Sequence, residues 1–513
     1  MNSRERVVAN TVAQYLRTII NVCISLYSTR LVLDVLGQSD YGVYMLVGGV
    51  VSMVGFMTNA LVVTTQRHLS FAHGHGRMNE VRTIFSNSLF IHFSIGIILL
   101  LILTLIHPFL FNYLHIDPAR LDVTRNVYFI TLLVLFFSLI ASPYRGLFIA
   151  RENIVYISIV DVADGVVKLL LVLLLLHIDA DKLYVYSWMM ASVAIFNFVA
   201  LAVYSLYKYE ESCLIPRRSD YDKSILRRLL NFALWTSYGT GCIMVRTQGI
   251  AVLLNRFLCT TIINTAYGIA MQMSGSVNFL AQSILNAMSP RVVKAESAGN
   301  RLHMLHLAAL TSKYCFLLLS MVAIPLVFEM PQILSCWLGE GKVPEYAVMF
   351  CRAVLIAAVC DQLTSGLVLA NQAIGRIRNY SLLVNTIKVS TLFFVWLCLY
   401  NGLPVVSTMV VYILIELVCA MVRMFYLRST ATLSLSVYSK EVFCHVIVPI
   451  LVLILVGLLM VNYVNLSYRF LLTIFIAVLA DILAILCFGM GQEERRMIGS
   501  YWDKMKKKAG WVR

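Results

Sequence analysis

The sequence predicts an all-α polytopic membrane protein of about fourteen transmembrane helices, arranged as two six-helix lobes followed by two additional helices. Three observations predict it. The 513-residue chain is 60% hydrophobic and only 13% charged; its apolar residues fall in blocks long enough to cross a bilayer; and its basic residues gather in alternate connections. A soluble domain carries roughly 25% charged residues to cover its surface, so this chain in water would expose very large apolar patches.

A helix needs about 20 apolar residues to cross the hydrocarbon layer. Blocks such as FIHFSIGIILLLILTLIHPFL at 90–110 and VFCHVIVPILVLILVGLLMVNYV at 442–464 meet that length almost without charge. Backbone amides and carbonyls have no water partner there, so each block satisfies them internally as helix. The blocks do not alternate polar and apolar residues, which excludes a barrel. The expected spans are 10–33, 41–65, 84–106, 126–145, 154–176, 183–206, 230–255, 262–289, 308–328, 347–370, 380–399, 406–427, 442–462 and 470–490.

Basic residues orient these spans, because Lys and Arg accumulate on the cytoplasmic side. One set of alternate connections, with both tails, holds 29 of the 41 Lys and Arg; the opposite set holds 6. An even number of spans with both termini cytoplasmic satisfies that segregation. The expected organisation is an N-terminal lobe over 1–206, a cytoplasmic linker over 207–229, a second lobe over 230–427, two further spans with their preceding loop over 428–490, and a basic cytoplasmic tail over 491–513 suited to anionic lipid.

Several classes drop out. The twelve cysteines stand singly, with no CxxC and no metal-ligand spacing. His68, His73 and His75 share one connection but lack a carboxylate at zinc-site spacing. No GxxxxGK[ST] phosphate loop occurs, and no nucleophile and base are arranged for an enzyme. The net charge of +15 has no soluble domain on which to build a nucleic-acid surface. The charged start MNSRERVVAN is not followed by a compact signal-peptide core, and it is expected to lead into the first span.

A faint repeat surrounds the linker. SDYGVYMLVGGVVSM at 39–53 resembles TAYGIAMQMSGSVNF at 265–279, setting Tyr41 and Gly42 226 positions before Tyr267 and Gly268; Gly146, Leu147, Ala150 and Lys168 return at an offset of 220 as Gly366, Leu367, Ala370 and Lys388. Six helices per unit make such repeats parallel, with a central cavity between lobes that suits alternating access. Gly42, Gly48, Gly49 and Gly55, with Pro143, Pro325 and Pro449, offer close packing or hinges.

Ionisable residues within the spans are the candidate site, since a charge facing lipid costs several kcal/mol. They are Arg17, Arg30, Asp161, Asp164, Lys168, Arg246, Arg352, Asp361, Lys388, Glu416 and Asp481, with Arg256 at a span edge. In the two lobes basic groups exceed acidic ones by seven to four, which calls for an anion or water. Arg30 with Asp34, and Asp164 with Lys168, are four apart and share a helical face. Arg17, Arg246 and Lys388 find no partner in their own segments and are expected as unpaired cations able to hold phosphate oxygens. Substrate binding is accordingly assigned to Arg17, Arg246, Lys168 and Lys388, and cation coupling to Asp161, Asp164, Asp361 and Glu416; Arg30 and Arg256, near span ends, can instead snorkel toward the interface.

The pattern R-x-x-L-D-x-LG-x-x-x-YG-x-Y over Arg30 to Tyr44, followed by a glycine-rich helix and TTQR, resembles the start of bacterial polysaccharide flippases of the O-antigen or capsule type, within the multidrug/oligosaccharidyl-lipid/polysaccharide exporter superfamily. The resemblance implies a two-lobed V with a cationic cavity in the bacterial cytoplasmic membrane. It also implies movement of isoprenoid (undecaprenyl) pyrophosphate-linked oligosaccharide from inner to outer leaflet, coupling to a proton or sodium gradient without another cofactor, and neighbouring polysaccharide polymerase machinery. Basic residues of the first and seventh helices, here Arg17, Arg30, Arg246 and Arg256, would face the phosphates. A multidrug or cation antiporter of the same superfamily and a flippase of the lipid-linked peptidoglycan precursor stay as alternatives. An acidic cavity would favour the antiporter; the basic excess disfavours it.

Overall fold

The computed structural model describes residues 3–74, 78–216, 220–375, 377–466, 468–491 and 494, and among these no strand occurs. Three expectations touch positions outside them: His75, the Arg217–Arg218 pair of the linker, and nearly all of the basic tail. The α-helices are α1 (Ser3–Gly74), α2 (Met78–Tyr113), α3 (Leu121–Ala150), α4 (Ile154–Leu175), α5 (Lys182–Lys208), α6 (Lys223–Leu258), α7 (Ile262–Ser297), α8 (Arg301–Leu338), α9 (Ala347–Gln362), α10 (Ser365–Ile374), α11 (Ile377–Tyr400), α12 (Val406–Ala431), the short α13 (Leu435–Glu441), α14 (Phe443–Tyr463) and α15 (Arg469–Ala484).

Each expected span coincides with helix. The first two share α1, which breaks at Gly37 (φ 74°, ψ 170°); a side chain would be strained in that conformation, so the glycine of the LG pair is what permits the turn. The tenth span is split into α9 and α10, bent by 45°, and the last continues from α15 into a π-helical turn, Ile485–Gly489. Among the described residues nine helices are long and apolar enough to cross a membrane, ten if the bent pair is one span. The expectation of fourteen exceeds this because α1 holds two expected spans and α4, α6 and α7 are too charged or too polar to qualify on apolarity alone.

The helices form two compact units, Met1–Gly268 with Trp337–Glu345, and Ile269–Cys336 with Tyr346–Arg513. The division therefore falls at Gly268 and not at the linker. α6, read from sequence as the start of the second lobe, lies along α1, where Gly49 meets the Gln248 side chain and Gly241 meets the Phe56 ring. Apolar periodicity finds a helix but not the neighbour it takes.

In the first unit α3 is the central helix, packing against α1, α2 and α5 through the fully buried Tyr128, Leu139, Tyr144, Leu147 and Phe148. The linker is docked on this core. The Tyr144 hydroxyl donates to the Cys213 carbonyl at 2.9 Å, Arg151 Nε donates to Glu211 at 2.7 Å, and Asn87 donates to the Asp220 carbonyl at 2.9 Å. At the opposite end of these helices Arg120 clamps Asp40 of α1 and Asp181 at the head of α5. Burial alone would push the Asp181 carboxyl up, but Arg120 and the Tyr184 amide outweigh it and hold the carboxyl below its ordinary range. The Arg120–Asp181 half of the clamp therefore stabilises the fold at neutral pH, and that contribution is lost as pH falls through the lowered value.

The break in α1 is a junction for distant segments. Lys342 Nζ reaches Asp34 at 2.8 Å, Gln38 donates to the Lys342 carbonyl at 3.1 Å, Thr265 donates to the Gln38 carbonyl at 2.6 Å, and Trp337 donates to the Leu26 carbonyl at 2.7 Å. Asp34, expected to pair locally with Arg30, has taken this long-range lysine. Gly42 permits the junction: a Cβ there would lie 2.0 Å from the Thr261 carbonyl oxygen, which is backbone and cannot swing away.

In the second unit the α7–α8 turn, α10 and α12–α13 meet around Met304, Ala308, Leu367, Leu427 and Tyr438. α14 and α15 dock through Ile324, Leu453 and Ala477.

Gly42→Ala should cost about 1–3 kcal/mol by overpacking and lower the thermal midpoint of the detergent-solubilised protein. Gly48→Ala, where nothing lies within 4 Å of the added Cβ, should leave the midpoint unchanged or raise it through better helix propensity.

Candidate functional site

Two clusters of charge lie inside the helices, one in each unit, and they differ in balance and access. In the first unit Asp161 of α4 holds two guanidinium groups. Arg17 of α1 donates to Asp161 Oδ2 at 2.9 Å, and Arg145 of α3 donates to Oδ2 at 3.1 Å and to Oδ1 at 2.5 Å. Two turns further along α4, Lys168 Nζ lies 2.7 Å from Asp164, the i,i+4 pair that spacing predicts. Among the described residues of this cluster three cations thus face two carboxylates, leaving one positive charge in excess.

The cluster is also reachable. Side-chain exposure is 23% for Arg17, 30% for Arg145 and 43% for Lys168. Nearby, Asn21 of α1 faces Gly165 of α4, where a Cβ would lie 3.1 Å from Asn21 Oδ1; that oxygen is buried with no hydrogen-bond partner among the described residues. A phosphate entering here would meet two fork-shaped donors already held side by side.

In the second unit the cluster is balanced and its cations are more deeply buried, although Asp361 is 29% exposed. Lys388 of α11 lies 3.1 Å from Asp361 and 2.9 Å from Glu416 of α12, and Arg423 of α12 donates to Asp361 at 2.9 Å. Lys388 and Arg423 are 7% and 6% exposed. The cluster sits on the break between α9 and α10, where backbone carbonyls lose their helical donors. Arg423 Nη1 takes the Asp361 carbonyl at 3.4 Å and Thr364 Oγ1 at 3.2 Å, while the Tyr438 hydroxyl donates to the Leu363 carbonyl at 2.8 Å. A broken helix inside a membrane requires such substitute donors, so this cluster supports the break.

The sequence expectation of unpaired cations at Arg17 and Lys388 is corrected: both are paired across helices. Pairing between segments depends on helix rotation and neighbours, which spacing within one segment does not reveal. Arg145 and Arg423, which the charge tally does not place among the candidates, belong to the clusters; their signal was a position at or near a span end. Of the remaining candidates, Arg246 is buried on α6 and Arg30 is exposed on α1. Arg256 is exposed with its guanidinium carbon 5.3 Å over the Tyr113 ring. Arg352 donates to the Val327 carbonyl at 2.8 Å, serving the backbone of α8 near its prolines.

The histidines do not converge. His68 Nδ1 lies 2.9 Å from the Thr64 carbonyl oxygen and His73 Nε2 lies 3.3 Å from Arg151. Among the described residues no group of three or more His, Cys, Asp or Glu is placed to hold a metal ion. A recess of about 390 Å³ between α2, α3 and α5 is lined by Leu100, Phe129, Leu133 and Trp188 among others; its lining has no charged residue, so it is not the place for a charged head group.

The fold is similar to that of solved transporters described as members of the MOP superfamily. The chain matches an inward-facing multidrug resistance MATE family transporter of that superfamily with a TM-score of 0.69 at 13% identity, covering 82% of this chain and 99% of that one. It matches the lipid II flippase MurJ, in an inward closed conformation, with a TM-score of 0.66 at 11% identity, covering 94% of this chain and 98% of that one. A MOP superfamily transporter from Pyrococcus furiosus, described by the reverse polarity of its binding pocket, matches with a TM-score of 0.61 at 13% identity over 83% of this chain and 95% of that one. No family model and no curated protein sequence matches the chain.

The two clusters should respond differently to loss of their central carboxylate. Asp361→Ala takes the carboxylate partner from the buried Arg423, while Lys388 keeps Glu416, and should cost about 3–5 kcal/mol, seen as a large fall in thermal midpoint. Asp161→Ala leaves Arg17 and Arg145, 23% and 30% exposed, less deeply buried than Arg423 and should lower the midpoint by less.

Proposed function

We propose that the chain is a flippase for a lipid-linked, phosphate-bearing substrate: an isoprenoid (undecaprenyl) pyrophosphate-linked oligosaccharide, carried from the inner to the outer leaflet of the bacterial cytoplasmic membrane for assembly of a surface polysaccharide. The observation that carries this reading is the Arg17–Asp161–Arg145 cluster with Lys168, a reachable cationic excess inside membrane helices. The match to a lipid II flippase over 94% of the chain is compatible with a lipid-linked substrate. The oligosaccharide rests on the resemblance of the Arg30–Tyr44 pattern.

Moving a pyrophosphate out of water is prohibitive unless other groups replace its hydration. In this mechanism Asp161 is a resident anion that keeps both guanidinium forks extended when no substrate is bound. An arriving phosphate competes for the forks, and Asp161 is released. A freed carboxylate can then take a proton or a cation from the gradient, coupling substrate entry to ion entry. Restoring the Asp161 pairs ejects the phosphate. The isoprenoid tail stays in hydrocarbon throughout, so only the head group needs this exchange.

Two other readings are separated by substrate. A carrier of the lipid-linked peptidoglycan precursor uses the same phosphate grip, and a multidrug antiporter of cationic compounds would be opposed by the local positive excess. Purified protein in liposomes, supplied in turn with undecaprenyl pyrophosphate-linked oligosaccharide, lipid II and a cationic dye, should move the first fastest. Arg17→Ala and Arg145→Ala should each slow that movement tenfold or more. Arg125→Ala, an exposed residue paired only loosely with Asp122, should change it less than twofold. Wild-type rates in both cluster variants would reject the grip.

A further inference from the structure

Carboxylates stand at three levels where α15 and the segment after it meet α8, and the middle one stands alone. At one end Glu329 of α8, fully buried, accepts Arg469 Nε at 2.8 Å, Arg469 Nη2 at 3.0 Å and Thr473 Oγ1 at 2.8 Å. At the other end Glu494 accepts both hydrogen bonds of Lys313 Nζ at 2.7 Å, and Lys313 is 2% exposed. Between them lies Asp481 of α15, 0% exposed, with neither carboxylate oxygen hydrogen-bonded among the described residues.

Among the described residues no neighbouring charge is available to it. Arg469 is twelve residues back along the helix, about 18 Å of rise, and is committed to Glu329. On α8 the charged and titratable groups along this stretch are Glu329, Lys313, Tyr314 and Cys315; Lys313 and Tyr314 lie at Glu494, and the Cys315 thiol donates to the Ala281 carbonyl at 3.6 Å. α14 contributes only Cys444 and His445 near its start and Tyr463 at its end, and His445 Nδ1 sits 2.8 Å from the Lys440 carbonyl. The π turn contributes Cys487. One turn before Asp481, Ala477 packs with Ile324 and Leu453.

An ionised carboxylate in such a place costs several kcal/mol or more. A metal cation is a poor remedy, since hard cations take about six or more oxygen ligands and no group of three candidate ligands exists among the described residues. A proton removes the charge with no further ligand. One turn after Asp481 the α-helix yields to the π turn Ile485–Gly489, a distortion common at functional sites and one that lets a helix end shift.

We propose that Asp481 is a proton-binding site of this carrier, holding a proton while α15 is packed on α8 and releasing it when that seam opens. Its protonation stands on the packing alone; only its link to transport rests on the flippase reading. Asp481 is a residue to which the sequence gives no assigned role.

The test uses the full-length protein in liposomes treated with dicyclohexylcarbodiimide, which modifies protonated carboxyl groups in apolar surroundings. Peptide mass spectrometry should find the adduct on Asp481 at neutral pH and not on the salt-bridged Glu329. Infrared spectra should show a protonated carboxyl band that Asp481→Asn abolishes. Asp481→Asn, the neutral isostere of the protonated acid, should keep the wild-type thermal midpoint, and Asp481→Leu, which removes the unsatisfied group, should keep or raise it. In the flipping assay the wild type should respond several-fold to an imposed pH gradient and Asp481→Asn should not. No adduct and no band would overturn the proton site; an unchanged gradient response in Asp481→Asn would overturn its part in transport. If wild type moves no lipid-linked substrate at all, the flippase reading fails while the adduct and the band still decide the proton site.

Discussion

A charged side chain inside a bilayer must find an opposite charge, a set of hydrogen bonds or water, because lipid offers none of them. The helices here are joined where that requirement is met. Asp161 gathers α1, α3 and α4 through Arg17 and Arg145; Asp361 and Glu416 gather α11 and α12 onto the broken α9–α10 pair through Lys388 and Arg423; Glu329 gathers α15 onto α8 through Arg469. Apolar packing between helices gains little over packing with lipid tails, so these polar joints decide which helix sits beside which.

The joints are not equivalent, and their differences carry function. The cluster in the second unit is neutral, buried and occupied with backbone carbonyls freed by the break at 363–364; such a cluster holds a shape. The cluster in the first unit is one positive charge over balance and only partly buried, which suits it to accepting an anion. Asp481 departs from the rule altogether, and that departure is what marks it as a site for a proton.

Much of the fold is legible in the sequence because bilayer thickness and helix rise leave few choices. The apolar spans, the Asp164–Lys168 pair and the close approach at Gly42 could be read from local pattern, whereas the break at Gly37 appears only in the structure. What could not be read is whatever depends on how one helix is rotated against another. Arg17 finds Asp161 144 residues away, Asp34 finds Lys342 308 residues away, and α6 takes α1 as its neighbour. Arg145 was hidden for a simpler reason: at the end of a span it counts as a loop charge, although its guanidinium reaches back to α4.

The central claim is that two guanidinium groups held by Asp161 change partners when a phosphate arrives. A cryo-EM structure of the protein with undecaprenyl pyrophosphate bound tests it most directly. The account predicts phosphate oxygens within hydrogen-bond distance of Arg17 and Arg145, with Asp161 displaced from at least one of them. Pyrophosphate bound elsewhere, with both arginines still on Asp161, would contradict it.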